Sequence, residues 1–159
     1  MLTVTFYGGR EFAFHQAKLK KLVRTICRRF NLAEAKISIA IVGNKQIRKL
    51  NEKFLHRKTA TDCIAFDLSD LGGGRKLFEL VVNGQRAGSE AEKRGHSALA
   101  ELALYITHGL LHLLGLNDLA PSQAKKMHRI EDEILQQQGF GLVYDNKRNL
   151  VSKKQRQKC

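Results

Sequence analysis

The feature that most constrains the fold is a long apolar segment, residues 99–116, that also carries two histidines. Glu101, Thr107 and the histidines interrupt it, so it lacks the roughly 18 uninterrupted apolar residues of a membrane span. A segment that is apolar on all sides is instead typical of a helix buried in a protein core. The sequence therefore predicts a central apolar helix over about residues 97–114, which Gly115 ends.

Two histidines on this helix, His108 and His112, are spaced for metal binding. Residues four apart lie about 40° apart around a helix axis, so both imidazoles point to the same side. Gly115 then lets the chain turn back and bring Asp118 to a third corner. Two imidazoles and a carboxylate leave the fourth position of a tetrahedral zinc ion open for water, as a hydrolytic site requires. We predict one zinc ion per chain, held by His108, His112 and Asp118.

Other interpretations of these residues stay open. A single histidine on an apolar helix is usually a core residue, but two unpaired imidazoles would each cost about 1–3 kcal/mol. Asp118 could instead cap the helix that begins near Pro121, and His128 is then the nearest histidine downstream for the third position. The spacing also occurs in metzincin proteases, whose general base is a Glu beside the first histidine. Gly109 stands there, which makes a metalloprotease a distant alternative.

Composition indicates a partner with negative charge. The chain has 159 residues, enough for one domain with a real core, and 28 Lys and Arg against 15 Asp and Glu give a net charge of +13. Such an excess attracts polyanions, so nucleic acid is the leading partner and an anionic membrane surface the second. Three cysteines without a CxxC pair favour a reducing cytosol. We expect a cytoplasmic protein with no membrane segment; the pattern does not define an oligomeric state.

The rest of the chain predicts an α+β fold, a small mixed β-sheet of about four strands packed with helices, with the metal site at the end of the central apolar helix. Alternating apolar residues predict strands at 2–7, 36–42, 63–68 and 77–82, the last two as a hairpin. Helical spacing predicts helices at 11–30, 44–54, after 84, and 121–138, with Asn31 as a stop and Asn44 as an N-cap. We expect one hydrolase domain over residues 1–140 and a basic, disordered tail over 141–159.

The histidine segment resembles the hallmark of the YbeY family, HGxLHLxGYDH. The matching positions are His108, Gly109, Leu111, His112, Leu113 and Gly115. Residues 61–66 resemble the TDVLSF strand of that family, residues 78–83 its GEIxIS strand, and Met127 with residues 131–135 its final helix. The resemblance covers most of residues 35–138.

This resemblance implies a metal-dependent endoribonuclease that matures ribosomal RNA, with RNA and the small ribosomal subunit as partners. The chain departs from the family pattern at two places. Leu116-Asn117-Asp118 replaces Tyr-Asp-His, so the third ligand changes from nitrogen to oxygen. Residues 51–55 lack the Arg of the family's NxxYR. Arg57, or else Lys58 or His56, is expected to contact phosphate in its place, unless Arg57 is only a solvated loop charge.

The remaining candidate residues are expected to line the metal site or to bind RNA. Thr61 and Asp62 are polar residues at the start of a strand and are expected to line the pocket beside the metal, or else to form a turn or cap. The basic stretch 18–29 and the tail would hold the RNA backbone, whereas 7% aromatic residues leave little for base stacking. The combined expectation is a zinc-dependent endoribonuclease that prefers single strands. The rival is an RNA-binding ribosome assembly factor with a purely structural metal.

Overall fold

The computed structural model describes residues 1–12, 14–70 and 74–141. Most of the predicted basic tail, residues 142–159, lies outside them. The elements follow the order β1 (Leu2–Gly8), α1 (Gln16–Arg29), β2 (Ala35–Val42), α2 (Asn44–Leu55), β3 (Cys63–Asp67), β4 (Lys76–Asn83), α3 (Gly84–Arg94), α4 (Ala98–Leu113) and α5 (Pro121–Gln137). This confirms the predicted α+β class.

The sheet is mixed and has the strand order β1-β2-β4-β3. The first three strands are parallel, with Leu2 opposite Ala35 and Ile37 opposite Phe78. Strand β3 runs antiparallel to β4, which confirms the predicted hairpin. The carboxyl ends of β1, β2 and β4 therefore lie beside the amino end of β3. We call this end of the sheet the carboxyl edge.

Two predicted element starts were wrong. Helix α1 begins at Gln16 rather than near residue 11, because Phe12 donates a backbone hydrogen bond to Gly9 in a turn and the His15 side chain caps the helix. Gly43, not Asn44, is the N-cap residue of α2. The side-chain oxygen of Asn44 instead accepts a 2.6 Å hydrogen bond from Asn83, across the carboxyl edge.

Helix α4 is the centre of the core, as the sequence predicted. Its residues 100–111 are all buried, and it contacts α1, α3, α5, β3 and β4. The Ser97 hydroxyl caps its first turn, and Gly115, with a φ of +102°, follows its end. Over the part of the chain that the structure describes, no helix is both long and apolar enough to cross a bilayer.

Gly109 permits the close approach of α4 to the sheet. A Cβ atom at this position would lie 2.7 Å from both Cys63 Sγ and Leu80 Cδ2, side chains that are themselves buried. Carbon and sulfur atoms at that distance overlap, so a larger residue would push the helix off β3 and β4. The glycine is therefore required by packing at the place where a metzincin carries its general base.

Replacing Gly109 by Ala is expected to lower the free energy of unfolding by about 1–3 kcal/mol, because the added methyl group overpacks the core. Urea denaturation followed by circular dichroism measures the change. The matched control is Gly88→Ala in α3, where an added Cβ meets nothing within 4 Å. That variant should gain about 0.5–1 kcal/mol from reduced backbone freedom. Equal effects of the two changes would contradict the close packing.

Candidate metal centre

The two histidines of α4 face each other one helical turn apart. The Nε2 atoms of His108 and His112 are 3.1 Å apart, and the rings meet edge to face with centroids 4.6 Å apart. The side chain of His108 is 7% exposed and that of His112 is 20% exposed. The pair thus closes the inner side of a site that stays open to solvent at His112.

The far nitrogen of each ring is held by a hydrogen-bond acceptor. His108 Nδ1 lies 2.9 Å from Glu131 Oε2, and His112 Nδ1 lies 3.1 Å from the Leu116 carbonyl oxygen. A carbonyl only accepts, so His112 Nδ1 carries the hydrogen. Burial would raise the pKa of Glu131, but the charge of His108 and hydrogen bonds from His108 and His128 hold it below its usual range. When both rings are neutral, these tautomers leave the lone pairs on the two Nε2 atoms, which are 3.1 Å apart.

Asp118 supplies the third donor of the cluster. Its Oδ2 lies 3.8 Å from His108 Nε2, and its Oδ1 lies 3.8 Å from His112 Nε2. Oδ2 is buried and accepts no hydrogen bond. Ligand atoms around a tetrahedral zinc ion with bonds near 2.1 Å are about 3.4 Å apart, close to these separations. The three residues could therefore hold a metal ion, and an orphaned carboxylate oxygen is what such an ion would satisfy.

Asp118 is not the cap of the following helix. The N-cap residue of α5 is Ala120, whose backbone N–H donates to the Gln123 side chain. The chain between α4 and α5 turns at Gly115 and brings the carboxylate back over the histidines. The geometry thus favours the metal-ligand interpretation of Asp118 over the capping one.

Charge within the cluster also favours a cation. Burial opposes the charged ring of His108, but the charge and hydrogen bond of Glu131 raise the pKa of His108 to about 9. Burial and the neighbouring His108 charge lower the pKa of His112. Without metal, the two rings therefore carry one positive charge between them at neutral pH, on the additional proton of His108. A metal ion would displace this proton.

Asp62 and Thr61 lie beside this cluster at the carboxyl edge. Both are buried, and Asn83 fixes their backbone through hydrogen bonds from its N–H to Asp62 and from its side chain to Thr61. Burial raises the pKa of Asp62 to about 6, although the charges of His108 and Arg86 act in the opposite direction. Asp62 is therefore within electrostatic reach of His108 and titrates near neutral pH.

Arg57 lies on the loop that follows α2. This loop leaves the helix through His56, whose φ of +55° is left-handed. Arg57 lines a cavity of about 270 Å³ together with Asn51, Thr59 and Thr61. Arg57 thus shares this cavity with Thr61, the direct neighbour of Asp62, and is not one of the three metal-binding candidates.

The sequence reasoning missed two residues of this region. Glu131, which orients His108, was named in the sequence analysis only within residues 131–135, which resemble the final helix of the family. The signal that could have identified it was its spacing of three from His128, to which it is also hydrogen-bonded at 2.6 Å. Arg86 lies half-buried in the first turn of α3, and its charge acts on the buried Asp62. No motif pointed to Arg86, because its place depends on the pairing of β3 with β4.

Comparison with known proteins identifies relatives of this chain. Residues 9–139 match the family model described as Endoribonuclease YbeY. A protein of that name from Bacillus licheniformis is 30% identical over 151 residues, which cover 88% of this chain and 96% of that protein. One from Anaeromyxobacter is 39% identical over 109 residues, which cover 68% of this chain and 57% of that protein.

A solved structure has the same fold. The solution structure of a Thermotoga maritima protein superposes with a TM-score of 0.56 at 19% identity, over 86% of this chain and 91% of that one. At that identity the likeness concerns the arrangement of strands and helices alone.

We expect Glu131→Gln to weaken zinc binding about 10- to 100-fold, because the amide removes the charge that orients and polarises His108. Competition with a chromophoric chelator measures the affinity. Glu133→Gln is the matched control, since Glu133 lies on the same helix but pairs at the surface with Arg29. It should bind zinc as the unchanged protein does. An equal loss in both variants would show that only overall charge matters.

Proposed function

The chain belongs to the YbeY family of endoribonucleases, and from this premise we propose that it is a zinc-dependent endoribonuclease that prefers single-stranded RNA and acts in ribosomal RNA processing and ribosome maturation. The observation that carries the proposal is the convergence of His108, His112 and Asp118, whose donor atoms lie within 4.8 Å of one another. RNA, ribosomal RNA in particular, and the small ribosomal subunit are the proposed partners, in the cytoplasm.

His108, His112 and Asp118 would hold one zinc ion per chain, because two imidazole nitrogens and a carboxylate oxygen are donors that zinc accepts. When bound, zinc supplies Lewis acidity that activates a nucleophile and offsets charge on the phosphodiester. Glu131 keeps His108 in the tautomer that presents Nε2, and the Leu116 carbonyl does the same for His112.

The neighbouring residues are assigned to proton transfer and phosphate binding. Burial raises the pKa of Asp62 to about 6, and Asp62 would accept a proton from the nucleophile. Thr61 would form the pocket wall between Asp62 and the cavity that Arg57 lines. Arg57 and Arg86 would contact phosphate oxygens and offset the charge that develops on them.

The basic side of α1 supports RNA binding outside the reacting centre. Its buried side chains face the core, and its exposed side carries Lys18, Lys21, Arg24 and Arg28, beside Arg29, which pairs with Glu133. Such a row of cations would hold the RNA backbone by counterion release, which makes the affinity fall steeply with salt.

Two alternatives receive less support from the geometry. Structural zinc sites are usually closed by four protein ligands. Among the residues that the structure describes, this cluster has three candidates, with the partly exposed His112 at its opening. This weakens the non-catalytic assembly factor as a proposal. A metalloprotease would need a general base at Gly109, where even a Cβ atom overlaps Cys63 and Leu80.

Zinc binding should depend on Asp118. We expect Asp118→Ala to weaken it strongly, because both a bond and a negative charge are lost. Asp118→His, which restores the ligand of the family pattern, should keep zinc. Chelator competition on the metal-loaded proteins measures this, with elemental analysis of protein purified without added metal. Parent-like affinity of the Ala variant would remove Asp118 from the site.

His112→Ala is expected to abolish cleavage of a single-stranded RNA while circular dichroism and the thermal midpoint stay near those of the parent, because His112 lies at the exposed end of the cluster. Gln136→Ala, which truncates an exposed side chain on α5, is purified in parallel as the control for contaminating nucleases and should cleave normally. Removing the metal should stop cleavage, and zinc should restore it. Equal cleavage by His112→Ala and its parent would refute the enzymatic proposal.

A further inference from the structure

His128 lies close to the candidate metal centre without being one of its three donors. Its Nδ1 atom is 2.6 Å from Glu131 Oε1, and the other carboxylate oxygen, Oε2, is 2.9 Å from Nδ1 of His108. The carboxylate of Glu131 therefore stands between two imidazoles, of which one belongs to the metal cluster and the other lies further out. We call these three side chains the carboxylate bridge.

The acceptor role of Glu131 fixes the direction of both hydrogen bonds. An ionised carboxylate only accepts, so the Nδ1 atoms of His108 and His128 both carry hydrogen and donate to it. Burial would raise the pKa of Glu131, but the charges and hydrogen bonds of the two imidazoles hold it below its usual range. The neutral form of His128 is sufficient for this donation, because one tautomer of a neutral imidazole carries its hydrogen on Nδ1.

Full burial makes Glu131 depend on such donors. Its side chain is 0% exposed, and a buried carboxylate is stable only where its oxygens accept hydrogen bonds. The two imidazoles supply one donor to each oxygen. The last torsion of a Glu side chain has a broad distribution, so the carboxylate could otherwise rotate and turn Oε2 away from His108. A donor on Oε1 opposes this rotation.

Helix α5 places His128 where it can hold this carboxylate. His128 precedes Glu131 by three residues, a spacing at which two side chains are neighbours on a helix. Met127, Ile130 and Ile134 of the same helix are buried in the core, which fixes the position of α5 on α4. The side chain of His128 is 14% exposed and lies between the fully buried Glu131 and solvent.

We propose that His128 is a positioning residue of the metal centre, which fixes the Glu131 carboxylate in the orientation that holds His108. Through Glu131 it keeps Nε2 of His108 directed at the metal ion and preserves the negative charge that strengthens this ring as a ligand. The metal ion in this inference rests on the proposed function, whereas the hydrogen bonds of the carboxylate bridge do not. The role also differs from that of a third ligand, which the sequence had left open for His128.

The experiment compares two histidines that contact fully buried carboxylates. His96 Nε2 lies 2.6 Å from Glu101 Oε1 in the first turn of α4, and the His96 side chain is 15% exposed, so His96→Ala is the matched control for His128→Ala. Chelator competition measures the zinc affinity of both variants. We expect His128→Ala to weaken zinc binding about tenfold, the lower end of the effect of losing a partner behind a ligand. His96→Ala should bind zinc as the parent does.

His128→Phe is measured beside the Ala variant, because it keeps a ring of similar shape and removes the donor. It should lose zinc affinity to the same extent, which separates the missing hydrogen bond from a cavity left by truncation. A purely structural role of His128 would instead lower the thermal midpoint of the His128 and His96 variants alike and leave the zinc affinity of all of them at the parent value.

A proton NMR signal reports the hold on His108 directly. An imidazole N–H that donates to a carboxylate resonates downfield of the amide protons, and isotope-labelled histidine assigns the signal of His108 Nδ1–H in the zinc-loaded and the metal-free protein. This signal should move upfield in His128→Ala and stay in place in His96→Ala. His128→Asn should restore it, because the Asn amide nitrogen can take the position of Nδ1.

The inference is overturned if the zinc affinity and the His108 signal of His128→Ala equal those of the parent, or if His96→Ala changes both to the same extent. A parent protein that binds no zinc would refute the proposed metal site instead. The His108 signal of the metal-free protein would then decide by itself whether His128 holds Glu131 in place.

Discussion

The site depends on the short distance of 3.1 Å between the Nε2 atoms of His108 and His112, because two ring nitrogens this close together need a positive charge near them. Each ring is held from behind by an acceptor, so neither can turn its hydrogen-bearing nitrogen inward without breaking a hydrogen bond. Two lone pairs at this distance repel unless a positive charge lies between or beside them. A proton supplies this charge in the metal-free protein, and the carboxylate of Asp118 is a further donor with which a doubly charged ion could take the place of the proton.

The packing of helices and sheet around α4 holds the two histidines in this arrangement. Helix α4 can carry two imidazoles in a buried position because α3, α5 and the sheet surround it. Gly109 lets the helix approach Cys63 and Leu80, which brings His108 within reach of Asp62 at the start of β3. The antiparallel direction of β3 matters here, since a fourth parallel strand would place its amino end at the opposite side of the sheet.

The sequence predicted what local patterns determine. The buried helix, its end at Gly115, the four strands and the histidine pair follow from periodicity and spacing within short segments. Glu131 could not be assigned in this way, because its contact with His108 arises only when α5 packs on α4. The start of α1 was misplaced because Phe12 and Phe14 continue the apolar pattern although they belong to the turn before the helix.

The departures from the family pattern become consistent when charge is considered. With Asp118 in place of a histidine, the proposed site gains a negative charge, which would repel phosphate. Leu55 stands in place of the family Arg, which removes a cation, and the Leu55 side chain is 48% exposed. Arg57 lies two residues further on, and Arg86 lies close enough to act on the buried Asp62. In the proposed function, Arg57 and Arg86 are thus the two cations of this region that would attract an RNA phosphate, in the presence of the added carboxylate and without the guanidinium of the family pattern.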